Sequence, residues 1–203
     1  MTTAGERDRS TRWWWLRHAP VEAGPGEIVG ALDHPCRADA LAAAPVLAAV
    51  LARRAVVVTS PLARCRATAA ALGLEPADAV EPALVEQDFG RWQGRCWNDL
   101  PTADTDPFWQ APSTARPPGG ESFADVVARL RPAVAALAER HAGRDIIAVA
   151  HAGTIRAALV LALGLEAQPA AGLSFAVDPL SLTRIDLMEG GAAVRCVNWR
   201  PLP

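Results

Sequence analysis

Trp13-Trp14-Trp15-Leu16-Arg17-His18-Ala19-Pro20 is an apolar run that stops on a cation and an imidazole, just before a turn-forming proline. Ile146-Ile147-Ala148-Val149-Ala150-His151-Ala152-Gly153-Thr154 repeats the plan: an apolar run, a histidine, then small residues leading into a helical pattern. Each run reads as a buried strand with a histidine at its C-terminal end. In open α/β sheets ligands bind beyond those ends, so two of them can face one another across a single site. With Arg17 beside the first imidazole, the arrangement suits a phosphoryl group: one imidazole to attack, cations to hold the oxygens.

Between and beyond these runs the pattern alternates. Arg12–Arg17 is the first expected strand. Residues 19–36 carry Pro20, Gly24, Pro25, Gly26, Gly30 and Pro35 and read as a loop. Alanine and leucine favour a helix over Asp39–Arg53, with Pro45 either kinking it or marking its true first turn. Ala55–Val58 is a short buried strand. Ser60 and Pro61 then suit the N-cap and first position of a helix that ends at Gly73. Residues 81–86 read as another strand. Residues 90–120, rich in Trp, Gly and Pro, read as an excursion of short helical turns that covers something.

Ser122, with Asp125 three residues on, caps a long helix whose stripe is Val126, Val127, Leu130, Val134 and Leu137; Gly143 ends it. After the Asp145–Ala150 strand comes a helix over Thr154–Leu163. Strands are expected at 173–178, 181–188 and 193–199, the last two joined at Gly190-Gly191. This order predicts an α/β fold: a three-layer α/β/α sandwich with a mostly parallel sheet, an antiparallel edge and a small cap insertion. Residues 1–10 are expected to be a loose tail and 11–203 one domain, with its cap segment at about 90–120.

The chain has 203 residues, of which 51% are hydrophobic, enough for one full core. Its net charge of −2 argues against general polyanion affinity and nucleic acid. All 20 basic residues are arginine. The lack of lysine excludes Schiff-base chemistry and a P-loop lysine, and the lack of tyrosine excludes a phenolic acid or base. A nucleotide-binding reading also lacks GxGxxG and GxxxxGK[ST]. Cys36, Cys65, Cys96 and Cys196 form no CxxC unit, and the four histidines lack metal-ligand spacing. No metal and no cofactor are expected. The polar N-terminus has no apolar signal region, and no apolar stretch reaches the ~18 residues of a membrane span. The expected compartment is the cytoplasm.

A phosphate monoester carries about two negative charges, which repel an anionic nucleophile. Neutral His18 avoids that repulsion and divides one displacement into two through a phosphohistidine. Arg17 offers a planar fork of donors. Alone, an Arg-His pair equally describes a strand end with a satisfied hydrogen bond. Arg64 adds weight, because an arginine in the first turn of a helix is unfavourable unless an anion joins it. His151 would donate to the phosphoryl group and stabilise charge in the transition state, although by itself it equally describes a buried structural histidine. Arg66 reads as a surface arginine, and His34 and His141 receive no catalytic role.

These segments together resemble the histidine phosphatase superfamily, the phosphoglycerate-mutase-like or "RHG" family. Arg17-His18-Ala19 matches its signature in the RHA form. Ser60-Pro61-Leu62-Ala63-Arg64 followed by Thr68 is similar to its S-x-L-x-R-x-x-x-T segment. Leu84-Val85-Glu86 through Gly90-Arg91-Trp92-Gln93-Gly94 is similar to L-x-E-x-x-x-G-x-W-x-G, Pro118-Gly119-Gly120-Glu121-Ser122 to P-G-G-E-S, and Val149–Gly153 to V-x-H-G-G. Five matches in family order span about residues 13–164. The resemblance implies His18 as the phosphorylated nucleophile and Arg17, Arg64 and His151 as the rest of the phosphate pocket. It further implies that Glu86 protonates the leaving oxygen and then activates water. Without the resemblance Glu86 reads as a solvated loop carboxylate. Asp88 is a weaker candidate for the same task, and Glu121 is assigned to structure.

The chain departs from the family pattern at three places. RHG-E-T is replaced by Arg17-His18-Ala19-Pro20-Val21, the usual Leu-Thr-Gly stretch before the second helix reads Cys36-Arg37-Ala38-Asp39-Ala40, and Ala152 follows the second histidine. A mutase would need a longer cap and more cations, whereas Gly94–Gly119 carries only Arg95 and Arg116 beside Trp97, Phe108 and Trp109. That aromatic cover suggests a substrate with an apolar or ring-bearing part, and the RHAPV form resembles the α-ribazole phosphatases of cobalamin biosynthesis. The expected enzyme is a metal-independent phosphatase of a small-molecule phosphate ester. It needs no nucleic acid or membrane and acts as a monomer or homodimer. The alternatives are a phosphoglycerate-type mutase and a non-catalytic phospho-ligand-binding module.

Overall fold

Six strands form one sheet in the order β3-β2-β4-β1-β5-β6 in the computed structural model, which describes residues 10–201 except 44, 52 and 53. β1 (Thr11–Arg17), β2 (Val56–Thr59), β3 (Ala79–Val80) and β4 (Asp145–Ala150) are parallel, and β5 (Leu182–Met188) and β6 (Gly191–Trp199) add the antiparallel edge. Both faces are covered, which is why β2 and most of β4 read as unbroken apolar runs.

β1 alternates. Trp13 and Trp15 stack on one another with ring centroids 5.0 Å apart. They join Val56, Val58, Ile146 and Ala148 against helices α5 (Phe123–Arg140) and α6 (Ala152–Ala162). Leu16, Ile147 and Val149 face the opposite side, where helix α3 (Ala63–Ala71) contributes Cys65 and Ala69. The result is the three-layer sandwich the alternation predicts. The Ser122–Asp125 capping box forms at the start of α5. Asp125 also takes a two-point ion pair from Arg116, which holds its carboxyl well below the usual carboxylate range.

Several local expectations are corrected. The helix expected over Asp39–Arg53 is two short ones, α1 (Ala38–Ala43) and α2 (Pro45–Ala48), and Pro45 opens the second as its ring geometry favours. Ala44, Ala52 and Arg53 lie outside the described residues, as does all of the expected tail except the buried Ser10. The strand expected at 81–86 does not form: β3 ends at Val80 and a 3-10 turn spans Pro82–Leu84, where Pro82 has no N–H to give a ladder. Residues 173–178 form no strand: a 3-10 turn spans Pro169–Ser174. α3 starts at Ala63 rather than Pro61, with Leu62 at its N-cap, so Ser60 is not the cap.

Residues 90–120 hold two 3-10 turns (Gly90–Trp92 and Trp97–Asp99) and helix α4 (Thr102–Gln110). Here Trp92, Leu100 and Phe108 bury one another with Ile28 in a small separate cluster. Two motif glycines fasten this segment by backbone-on-backbone packing. Gly90 has φ +53°, and a Cβ there would strike the Pro118 carbonyl, while one at Gly120 would strike the Asp88 carbonyl. Among the described residues no helix is long and apolar enough to cross a membrane. Gly90→Ala combines a left-handed backbone with overpacking, so it is expected to cost roughly 2–4 kcal/mol. Urea unfolding of the two proteins measures that loss.

Candidate active site

The register of the central parallel pair sets the site. Arg17 pairs with Ala150, so the residues after each strand end, His18 and His151, emerge side by side. Their rings meet edge-on with centroids 5.0 Å apart. β2 ends in the same plane, where the Ser60 N–H donates to the Val149 carbonyl at 3.0 Å. A cavity of about 240 Å³ opens above these ends, lined by Arg17, His18, Arg64 and Glu86 together with Phe89 and Trp97. The structure thus brings together four of the five expected site residues on one surface and packs the fifth, His151, directly behind them, fully buried.

His18 donates its Nδ1–H to the Ala19 carbonyl at 2.7 Å, which leaves Nε2 as the ring's lone pair. Burial, then the charges of Arg64 and Arg17, push its pKa down to about 3 against the favourable Ala19 contact. The ring is neutral and its tautomer is fixed, as a nitrogen nucleophile requires. Ala19 is itself completely buried, with its N–H on Thr68 Oγ1 at 2.9 Å. Cys36 Sγ fills the space beside it, 3.3 Å from the Arg64 carbonyl. Two departures from the family pattern therefore pack against each other.

Arg17 uses one nitrogen on the Val177 carbonyl at 2.6 Å, and its buried Nε has no partner. Arg64 gives Nε–H to His151 Nδ1 at 3.2 Å and its other two nitrogens to the Leu32 and Gly30 carbonyls. Three of its five N–H donors are used, and two are left for a ligand. Because Nδ1 of His151 accepts from Arg64, its Nε2 carries the proton and donates to Ser60 Oγ at 2.8 Å. Donation from His151 to a phosphoryl oxygen requires Nε2–H to leave Ser60. Burial, then His18 and the two arginines, lowers the His151 pKa well below its ordinary value.

Glu86 is fastened from several sides. Its Oε2 accepts the Gly153 N–H at 3.2 Å in the first turn of α6, where a helix favours negative charge. A Cβ on Gly153 would collide with the Glu86 carboxylate. Thr154 Oγ1 donates to the Leu84 and Val85 carbonyls at 3.2 and 2.9 Å. Arg129 on α5 holds the carbonyls of Ala83, Val85 and Glu86, and Glu121 grips Arg129 Nε at 2.8 Å while accepting the Asp88 N–H. Glu121 is thus structural, as its sequence position suggests. Asp88 spends its own carboxylate on the Gly90 N–H at 2.7 Å and does not line the cavity. Sequence reasoning missed Ser60, Gly153, Thr154 and Arg129 as site supports. Ser60 and Gly153 lie inside recognised motifs and Thr154 directly follows one, but Arg129 carries no local signal. Among the described residues no three His, Cys, Asp or Glu side chains are grouped to hold a metal ion.

The depressed His18 pKa has a thermodynamic consequence. Between the ordinary value of 6.5 and the folded value of about 3, the unfolded chain binds more protons. Stability is therefore full above about pH 6.5 and falls as pH drops toward about 3, and His151 adds in the same direction. The melting temperature is expected to drop between about pH 7 and about pH 4, and less steeply in His18→Asn. Imidazole nitrogen shifts should show His18 uncharged at about pH 5. A ring already protonated there would remove the neutral nucleophile.

A family model described as histidine phosphatase superfamily (branch 1) matches residues 13–200. A Mycobacterium tuberculosis protein described as bifunctional is 32% identical over 96% of this chain, and the chain spans about half (55%) of its length. The adenosylcobalamin/alpha-ribazole phosphatase of Salmonella typhimurium is 30% identical over 94% of this chain and 99% of its own. Among solved structures, a mycobacterial glucosyl-3-phosphoglycerate phosphatase superposes with a TM-score of 0.83 at 28% identity, covering 95% of this chain and 100% of that one. With its strand-end histidines, its two arginines and that match across nearly its whole length, this chain belongs to the histidine phosphatase superfamily.

Proposed function

We propose that the protein hydrolyses a small-molecule phosphate monoester, without a metal ion, through a phosphohistidine at His18. The observation that carries this reading is the neutral His18 Nε2 in a polar cavity beside two arginines with unspent donors. His18 Nε2 attacks phosphorus, the bond to the ester oxygen breaks, and protonated Glu86 gives that oxygen its proton. Water then attacks the phosphohistidine while Glu86 takes the water's proton. The P–N bond breaks and inorganic phosphate leaves. Arg17 and Arg64 stabilise the charge on the equatorial oxygens throughout.

The mutase reading is the weaker one. It needs cations to hold a second acidic group, but Arg116 is bound to Asp125 and Arg95 reaches the Asp99 carbonyl. Among phosphate monoesters we read α-ribazole 5'-phosphate as the substrate, supported by the likeness to the Salmonella enzyme over nearly both lengths and by the aromatic cover. We further read the protein as a cytoplasmic monomer or homodimer that needs neither nucleic acid nor membrane. A panel of phosphorylated metabolites that includes α-ribazole 5'-phosphate and glucosyl-3-phosphoglycerate tests the substrate directly.

His18→Ala is expected to stay folded and lose phosphate release by at least ~1000-fold. Full activity in that variant would end the assignment, as would isomerisation of a phosphoglycerate without phosphate release by the unmodified protein. A chelator is expected to leave the rate unchanged. Glu86→Gln is expected to slow alkyl phosphates by ~100-fold or more while sparing aryl phosphates, whose leaving oxygen needs no proton. Equal losses on both would place the acid elsewhere.

A further inference from the structure

The two arginines beside His18 are held very differently. Arg64 is tied at three points, on His151 and on the Leu32 and Gly30 carbonyls. Among the described residues the Arg17 side chain has one such tie, from Nη1 to the Val177 carbonyl at 2.6 Å, and its Nε is buried without a partner. The direction of this guanidinium therefore follows the position of the Val177 carbonyl.

That carbonyl opens a tight turn, Val177-Asp178-Pro179-Leu180-Ser181, which leads into β5 and is laced to the backbone of Arg17. The Leu180 N–H donates to the Arg17 carbonyl at 3.1 Å and the Arg17 N–H to the Ser181 carbonyl at 3.2 Å, while the Ser181 N–H closes the turn on the Asp178 carbonyl at 3.1 Å. Leu180 has φ +57°, a left-handed backbone that a leucine adopts only where its surroundings impose it. Among the described residues one other non-glycine residue has a positive φ, Asn198 at +55°. It belongs to the same place in the fold. Leu182 pairs with Trp199 and Arg184 with Cys196, two positions on β5 (184 − 182) against three on β6 (199 − 196), so β6 carries one extra residue at this point. Such a bulge re-aims a side chain. The Asn198 amide meets Asp178 twice: Oδ1 accepts the Asp178 N–H at 2.7 Å, and Nδ2 donates to Asp178 Oδ2 at 3.1 Å. Neither Asp178 nor Asn198 lines the cavity above His18, so any influence on it passes through the turn.

We infer that Asn198 is a positioning residue for Arg17: its two-point clasp on Asp178 sets the Val177–Ser181 turn, and the turn aims the guanidinium at the phosphoryl oxygens. The inference rests on the phosphatase reading for the task of Arg17 and adds the element that directs it. A long side chain fixed at one nitrogen is only as well aimed as that nitrogen's acceptor, and the acceptor here lies on a turn with a left-handed leucine that needs support from outside.

The test is Asn198→Gly, since glycine adopts the left-handed backbone freely and only the clasp is lost. The probes are turnover of an aryl phosphate and calorimetric binding of orthovanadate, a five-coordinate mimic of the phosphoryl group in transfer. Both kcat/KM and orthovanadate affinity are expected to fall ~10-fold. In an Arg17→Ala background the same substitution is expected to change either quantity less than ~2-fold, because the clasp acts through the side chain already removed. Asp178→Ala opens the clasp from its other side, on an exposed turn, and is expected to weaken orthovanadate binding as well; Asp178→Asn keeps the acceptor oxygen and is expected to stay within ~2-fold of the unmodified protein. Equal losses with and without Arg17 would make Asn198 merely structural and overturn the inference. So would orthovanadate binding indifferent to Asn198→Gly or, if that variant does not fold, to Asp178→Ala. Orthovanadate binding that depends on the clasp in a protein that releases no phosphate would overturn the phosphatase reading and uphold the clasp.

Discussion

The parallel, in-register pairing of β1 with β4 is the constraint on which the rest of the site depends. Arg17 opposite Ala150 means that two histidines 133 positions apart in sequence (151 − 18) emerge from adjacent strands at one level. The hydrogen bonds that make the pair also carry the site: the His18 N–H donates to the Ala150 carbonyl at 3.0 Å. A slip of one residue would turn His18 to the other face of the sheet. The tryptophans make such a slip expensive, because Trp13 and Trp15 belong to the layer under α5 and α6 while Leu16 belongs to the opposite layer.

On that platform, burial and two guanidiniums keep both imidazoles neutral, so the site is cationic through its arginines and presents an uncharged imidazole beside them. Arg64 has two roles at once. It ties the loop at Gly30 and Leu32 to the site, and it fixes the His151 tautomer by donating to Nδ1. Cys65, 3.4 Å from His151 Nε2, is kept as an inert thiol by burial. The helix that carries Arg64 begins at Ala63 and not at Pro61. That frees Ser60 to face His151 instead of capping the helix.

The carboxylate of Glu86 depends on a different set of contacts. Glu86 sits in a segment with almost no regular structure, and such a segment is held only by what grips its carbonyls. Arg129, Thr154 and Glu121 supply the grip from two helices and a turn. Gly153 leaves the space into which the carboxylate fits. The same segment runs on through the turn at Gly90 into the aromatic cover.

The fold class, the two histidine-bearing strand ends, the arginine in the first turn of α3 and the capping box at Ser122 were determined by the sequence itself. Each depends on neighbours within a few residues: apolar runs, a cap three positions from its partner, a charge near a helix start. Glu86 was legible only through a motif shared with other proteins, since nothing in its local sequence distinguishes it from a loop carboxylate. The tertiary structure alone decided the partners of Ser60 and Arg129, and that Glu86 rather than Asp88 lines the cavity beside His18. It also replaced the strands expected at 81–86 and 173–178 with 3-10 turns. The physical reason is the range of the interactions involved. Propensity and periodicity act along the chain, whereas a guanidinium finds its carbonyls 43 or more positions away (129 − 86), and a cavity exists only where separate elements fail to meet.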